Sequence, residues 1–412
     1  MRPFRSFMAL DPGSRNIKVA IAEIRDGKPQ IARMFTIPSY GIRRGGVDDL
    51  VAAVRAMSVV FHEVRRTHPE ALKRIFLGMG SPTVKIQLSK GIVAVSRADF
   101  KIYTDDIDRV TQASRAVNLL PNRTVVHSLI REFIVDGIAD IKDPLGMVGN
   151  RLELTSVIID AFSPAIKNLE KCIEMSGGRI AGIVVSPLAS ARAVLSVNQR
   201  ELGVATLDIG FGTTGIAVYE EGKLLHTAII PIGSGHITND VAVGLKISID
   251  AAESVKRSFG HALAKEISSR EMIDLKKIDS KFKNAVSRRY VAEIIEVRLA
   301  EIFEFVHNEL KGIRKSGELP AGIVLVGGGA KLPGIVELVR QELRLPAELG
   351  EINPEPLTSG GREVTSELGD PEFACAVGLL LFGYDGVQGS SDRMTLQSQL
   401  SFMKKIFGYF KP

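Results

Sequence analysis

This chain is poor in everything that would cross-link it, hold a metal or carry it through a membrane. Cysteine occurs twice in 412 residues, as Cys172 and Cys375, with no paired spacing. That excludes a disulfide framework and a cysteine-based zinc site, and it fits a reducing cytosol. Seven histidines are present and none stands at a ligand-like spacing. Arg2 and Arg5 are not followed by a long apolar run, so no secretory signal is expected. The longest apolar stretch, FACAVGLLLFGY at 373–384, is too short and too interrupted by glycine to span a bilayer, and reads as a buried helix. Charge of one sign is not in large excess. The net value is +6, compatible with a solvated surface and equally with an acidic partner or an anionic membrane. With 45% apolar and 24% charged residues, the composition is that of a globular protein long enough for two or more domains.

The informative feature is a segment that occurs twice. ALDPGSRNIKVAI (9–21) and TLDIGFGTTGIAV (206–218) both run from an apolar strand through an aspartate and a glycine-rich loop into a second strand. With Asp11 set over Asp208, Gly13 falls on Gly210, Asn16 on Thr213, and Val19 and Ile21 on Ile216 and Val218. Each copy continues into a charged hairpin turn, Arg25-Asp26-Gly27-Lys28 and Glu220-Glu221-Gly222-Lys223. Two matching hairpins half a chain apart imply a duplicated α/β fold with a site between the halves.

The rest of the chain follows that plan. Residues 1–81 read as the opening part of a first domain, with a helix at 47–67 carrying an apolar stripe of Val47, Leu50, Val51, Val54 and Met57 and with Asp48 and Asp49 in its first turn. Residues 82–164 read as an inserted α+β subdomain: a hairpin in VKIQLSKGIVAVS, a helix from Tyr103, then strands with turns at Asp136-Gly137 and Asp143-Pro144. Residues 165–198 close the first domain, and 199–385 form the second, with a mostly helical part at about 230–320. A polar linker is expected at 386–400 and a terminal helix at 401–412.

The loops define a chemistry. Glycine lets backbone N–H groups converge on an anion, and Ser14, Thr213 and Thr214 add hydroxyl donors. Asp11 and Asp208 can hold Mg²⁺ through water, and Lys18 can face the β- or γ-phosphate of a nucleotide. A third element, VLVGGGAKLPG (324–334), puts Gly327, Gly328 and Gly329 between a strand and a helix opened by Lys331 and Pro333, a place for an adenosine. Any one of these loops alone is a common turn; together, in this order, they indicate a clamp on ATP.

DPGSRNIKVA, LDIGFGTTGIAVY and IVLVGGGAKLPG resemble the two phosphate motifs and the adenosine motif of the actin/Hsp70/sugar-kinase ATPase superfamily. PLASARAVLSVNQRELGVATLDIG, REFIVDGIADIKDPLGMVGNRLEL and the AAESVKRSFGHAL segment narrow the resemblance to the bacterial cell-division family FtsA, from about residue 7 to 383. The resemblance implies an actin-like ATPase fold, made of duplicated ribonuclease-H-like domains with the inserted subdomain in place of actin's usual second one. By it the nucleotide site takes Asp11, Gly13, Ser14, Arg15, Asn16, Lys18, Asp208, Gly210, Gly212, Thr213, Thr214, Gly327, Gly328, Gly329 and Lys331. It adds Glu253 and Lys256 at the ribose or base, a pair whose i, i+3 spacing reads, on residues alone, as a surface ion pair.

The chain departs from the family pattern GGGTTD, with Phe211 at a glycine position and Gly215 at an aspartate position. Phe211 either packs the loop or narrows the cleft. Ser186 stands where the family often has a glutamate before Pro-Leu-Ala-Ser, the water-orienting position of the superfamily. A hydroxyl is not a base, so ATP binding with weak hydrolysis at most is expected.

The last residues form an amphipathic stripe. Phe402, Met403, Ile406, Phe407 and Phe410 lie on one helical face, flanked by Lys404 and Lys405. That pattern suits an anchor in an anionic lipid interface or a helix docked on its own core, and the polar linker favours lipid. The stretch 273–303 is basic, with Arg288, Arg289 and Arg298 among its cations. The resemblance makes this the receiving surface for the acidic and apolar C-terminal tail of FtsZ, with Arg298 the best match. No aromatic interleaving points to nucleic acid. The expectation is an ATP-binding, filament-forming protein on the cytoplasmic face of the inner membrane at the division site, which anchors FtsZ and recruits later division proteins. Alternatives are a PilM-like envelope assembly protein and a sugar-kinase-type phosphotransferase, although no substrate-side aspartate base stands out.

Overall fold

A computed structural model describes residues 6–25, 28–278 and 285–388. The expected turn at Asp26-Gly27, residues 389–400 of the linker and the whole 401–412 tail lie outside the described residues.

The first half opens with β1 (Ser6–Pro12), β2 (Asn16–Arg25) and β3 (Lys28–Pro38), followed by a two-residue-strand hairpin, β4 (Ile42–Arg43) and β5 (Gly46–Val47). Then come α1 (Leu50–Thr67) and β6 (Ile75–Met79). The inserted unit is β7 (Lys85–Ala94), α2 (Thr104–Arg115), β8 (Arg123–Val135), β9 (Ile138–Ile141) and β10 (Arg151–Phe162). The chain returns through α3 (Ser163–Met175), β11 (Ile180–Val185), α4 (Ser186–Val194) and α5 (Val197–Leu202). The second half contains β12 (Val204–Ile209), β13 (Thr214–Glu220), β14 (Lys223–Ile230), α6 (Ser234–Leu245) and α7 (Ile249–Phe259). It goes on with β15 (Met272–Asp274), β16 (Ala285–Ser287), α8 (Arg288–Gly312), β17 (Ile323–Val326), α9 (Ile335–Leu343) and β18 (Ala347–Leu349). Last are β19 (Thr358–Ser359), α10 (Arg362–Leu368) and α11 (Ala374–Gln388).

The duplication is visible in the pairing. In the first sheet, ordered β11-β6-β1-β2-β3-β19, β1 runs antiparallel to β2 and parallel to β6. In the second, ordered β14-β13-β12-β17-β18, β12 runs antiparallel to β13 and parallel to β17. The register repeats as well: Asp11 pairs with Lys18, and Asp208 with Gly215. At the β13–β14 turn Glu221 and Gly222 both take left-handed φ, 52° and 68°, the conformation that an Asn/Asp/Glu-Gly hairpin with matching twist requires. The inserted sheet, β7-β10-β8-β9, is separate and packs α2 over a small core of Val95, Ile102, Val110, Phe133, Leu152 and Leu154.

Several elements differ from expectation. α1 begins at Leu50, because Asp49 is its cap: the Asp49 carboxylate accepts the Ala52 N–H at 3.0 Å. Val47 belongs to β5, and the buried face is Ala53, Ala56, Met57, Val60, Phe61 and Val64, with Val51 62% exposed. The expected hairpin in VKIQLSKGIVAVS (84–96) is one strand, β7, in unbroken register with β10. Gly91 is there for close approach instead of a turn, since a Cβ on it would lie 2.3 Å from the Val110 carbonyl of α2. The glycine run after β17 does not open a helix directly: a 3-10 turn at Gly328–Lys331 intervenes, and Gly334 caps α9. Residues 386–388, expected in the linker, continue α11.

The second half as expected, 199–385, also does not stay together. β19 pairs with β3, α10 lies beside them, and α11 packs on β1 and β6. α4, in turn, packs on β12 and β13, so the two connecting helices stack between the sheets. They cross almost backbone to backbone, for a Cβ on Gly378 would stand 1.8 Å from the Ala189 carbonyl.

Candidate functional site

The two copied loops and the glycine turn after β17 converge on one cavity of about 360 Å³ between the sheets. Loop one holds its shape through the Gly13 N–H, which donates to the Asp11 carbonyl at 3.0 Å. In loop two the Gly210 N–H donates to the Thr213 carbonyl at 2.9 Å, and the N–H groups of Ser234 and Gly235 donate to Gly210 and Phe211 at 2.9 and 2.7 Å, tying the loop to the start of α6. The loops touch: a Cβ on Gly212 would fall 2.6 Å from the Ser14 hydroxyl. Two glycine backbones thus line a narrow, donor-rich slot suited to an anion.

Three charged groups sit at its floor. Lys18 Nζ lies 3.4 Å from Asp11 Oδ2, and both side chains are 14% exposed. Burial opposes the Lys18 charge, but Asp11, Glu372 and Asp208 together hold its pKa above the ordinary lysine value. Asp208 accepts the Ser190 hydroxyl at 2.6 Å, and burial raises its pKa against that bond. Two half-buried carboxylates with a lysine paired to one of them fit a hydrated divalent cation whose remaining ligands come from a phosphate chain. Among the described residues no group of three or more histidine, cysteine or acidic side chains could hold a metal by itself.

Glu253 and Lys256 are not a surface pair. They are 6% and 7% exposed, line the cavity, and lie 2.7 Å apart. Lys256 also donates to Thr238 Oγ1 at 2.8 Å and the Ser234 carbonyl at 3.0 Å, while Thr238 donates to Glu253. Burial pulls the Lys256 pKa down against the Glu253 charge. The Ser186 hydroxyl, at the start of α4, is buried near the Cys375 thiol. It lies near Gly78, whose Cβ position is 3.3 Å from Ser186 Oγ and 3.5 Å from Asp11 Oδ1.

Arg15, Asn16, Thr213, Gly328, Gly329 and Lys331 also line the cavity. Thr214 and Gly327 do not. Thr214 is fully buried and donates to the Ile232 carbonyl at 2.8 Å, whereas Gly327 (φ 84°) lets the chain pass behind Asp208, where a Cβ would meet Oδ1 at 2.4 Å. Gly215 has a packing reason, for a Cβ there would strike Pro187 at 2.6 Å. Phe211, expected either to pack its loop or to narrow the cleft, lines the cavity, whereas residue patterns missed Glu372 as a cavity wall. The Asp-Pro-Glu ahead of the apolar α11 was the available signal for Glu372.

The three arginines expected at the partner surface are each paired within the chain. Arg298 makes a two-point contact with Asp240, at 2.5 and 3.0 Å, and also pairs with Glu301. Arg288 reaches Glu271 at 2.7 Å and Arg289 lies 3.6 Å from Glu293. Lys281 and Lys283 lie outside the described residues.

Duplicated sheets related by one register, stacked connecting helices and a cleft walled by paired hairpin loops define the actin-like class of protein. Solved structures agree on the fold. A PilM-PilN type IV pilus biogenesis complex aligns with a TM-score of 0.62 at 18% identity over 92% of this chain and 99% of that one. MreB5 of Spiroplasma citri bound to AMPPNP aligns with a TM-score of 0.57 at 14% identity over 95% and 99%. Residues 205–378 match the family description "Cell division protein FtsA", and 82–159 match "SHS2 domain inserted in FTSA". The chain is 34% identical to the cell division protein FtsA of Bacillus subtilis over 91% of this chain and 83% of that protein. It is 33% identical to that of Pseudomonas aeruginosa over 95% and 92%. The chain belongs to the FtsA family of cell-division proteins.

Proposed function

We propose that this cell-division protein binds ATP with Mg²⁺ in the inter-sheet cleft, polymerises on the cytoplasmic face of the inner membrane, and tethers FtsZ filaments there while later division proteins assemble. The observation that carries the nucleotide part is the convergence of Asp11, Lys18 and Asp208 on one cavity with three glycine turns. Asp11 and Asp208 would orient the metal through water, Lys18 would face a terminal phosphate, and Glu253 and Lys256 would meet the ribose or base. When bound, ATP–Mg²⁺ supplies a transferable phosphoryl group and the oxygen ligands that complete its own metal's shell. Ser186 can donate to or accept from a water in this cleft but cannot take its proton at neutral pH. The expected role of ATP is therefore to set conformation and assembly, with slow turnover at most.

The membrane part rests on the Phe402–Phe410 stripe with Lys404 and Lys405. A helix this short holds a bilayer weakly alone, and a filament supplies the multivalency that retains it. The FtsZ part rests on the family. An acidic tail would have to compete with Asp240 and Glu301 for Arg298, so its binding should weaken as salt rises. The PilM likeness supports a common fold and leaves pilus assembly as the second reading.

Vesicle co-sedimentation with ATP–Mg²⁺ tests the tether, comparing the full chain with a truncation after Leu400. The full chain should pellet on anionic lipid and the truncation should stay in the supernatant. Failure of both to pellet removes the tether from the proposal.

A further inference from the structure

Arg15 leaves loop one and crosses to the opposite half of the molecule. Its guanidinium stands 5.3 Å from the centre of the Phe211 ring and 3.5 Å from Glu253 Oε1. The same ring has Lys256 Nζ at 5.6 Å, so one aromatic side chain faces two cations while Glu253 counters both. The ring is braced from behind, since a Cβ on Gly235 in the first turn of α6 would lie 2.6 Å from it. The Arg15 side chain is 40% exposed, against 8% for Glu253 and Lys256. Arg15 and Phe211 therefore form the solvent side of the cavity wall, and the buried pair forms its inner side. Within this cluster Arg15 alone comes from the first half, so the contact spans the cleft.

We propose that Arg15 and Phe211 form a latch across the cleft mouth that sets how fast nucleotide enters and leaves, with much less influence on how tightly it is held. The inference rests on the nucleotide reading above. Passage through this wall requires Arg15 to part from both the ring and Glu253 on the way in and on the way out. The latch therefore raises the barrier in both directions and changes their ratio little. Phe211 suits this role because its braced ring offers a fixed face to a mobile cation, whereas a glycine at this position would leave Arg15 only an exposed ion pair, which salt screens.

The test is stopped-flow binding and release of a fluorescent ATP analogue with Mg²⁺, using the full chain and the variants Phe211→Gly and Phe211→Leu. Phe211→Gly should raise both the association and dissociation rates by roughly tenfold and shift Kd by less than about threefold, the range open to one partly exposed cation–π contact. Phe211→Leu keeps the loop packed and removes the π face, so it should also accelerate both rates if the ring's electrostatics matter. It serves as the test should the glycine variant fail to fold. Added salt should speed release from Phe211→Gly at least as much as from the wild-type protein, because the Arg15–Glu253 pair left in that variant is the contact that salt screens. Unchanged rates in both variants, or a weaker Kd produced by release alone, would overturn the latch while leaving the nucleotide reading in place. If the wild-type protein does not bind the analogue, the nucleotide reading falls and the latch with it.

Discussion

At the scale of single residues, the seam between the inserted subdomain and the cleft is held by His127. It is 1% exposed on β8, and its Nε2 accepts the N–H of Val185, the residue before Ser186, at 3.1 Å. The proton therefore sits on Nδ1, and burial lowers the pKa from 6.5 to about 4. The unfolded chain takes up a second imidazole proton near pH 6.5 and the folded one only near pH 4. Stability is thus undiminished above 6.5 and falls as pH drops through that window, by up to about 3 kcal/mol. Denaturant titrations should show that fall, and His127→Gln should flatten it. Asp208→Asn keeps the side chain's shape and removes its charge. It should weaken Mg²⁺-dependent ATP binding by roughly tenfold or more, as loss of an outer-shell metal partner does, with little change when Mg²⁺ is chelated. Equilibrium titration with and without chelator separates these outcomes. Asp11, Gly13, Asp208 and Gly210 were legible in the sequence because a loop motif is local and here occurs twice. The burial of Glu253 and Lys256 was not, because an i, i+3 pair looks the same on any helix face. What covers this one is Thr238 from α6, Phe211 from loop two and Arg15 from the far half.

At the scale of elements, hairpins and helices followed from alternation and turn chemistry, and errors arose where glycine served a neighbour instead of its own turn. Gly91 was legible as a glycine between apolar runs, the usual sign of a hairpin, but α2 lies elsewhere in the chain and its approach is invisible locally. A side chain there must push α2 off β7. Gly91→Val should cost the inserted subdomain about 1–3 kcal/mol or more, seen as earlier loss of its amide-exchange protection while the two main sheets stay protected. Helix α1 shows the reverse case. Asp49 was read as a first-turn charge and is a cap, so the helix starts three residues later than expected, and Val51 of the expected buried stripe faces solvent.

At the scale of the whole molecule, the duplicated fold was legible from the repeat, and the path of the last described segment was not. Nothing local to residues 358–388 says that they return to the first sheet, because that pairing joins Thr358 to Gln30 across most of the chain. The proposed tail anchor belongs to this scale too, since in that reading many chains would act together. Reversing Lys404 and Lys405 to glutamate should abolish vesicle binding that depends on anionic lipid, each basic group near such a surface being worth about 1 kcal/mol. Co-sedimentation across lipid composition and salt checks it.

The crossing of α4 and α11 has a mechanical consequence. With Gly378 seated on Ala189, the two helix backbones meet directly at their nearest point, which would serve as a pivot between the halves. The first sheet packs on α11, and the second packs on α4, which also touches β6 and β11 of the first. A change in cleft width is thereby converted into a swing about a fixed fulcrum, and the far edges of both halves travel furthest. A filament built from those edges would sense the occupancy of the cleft as a change in its own curvature.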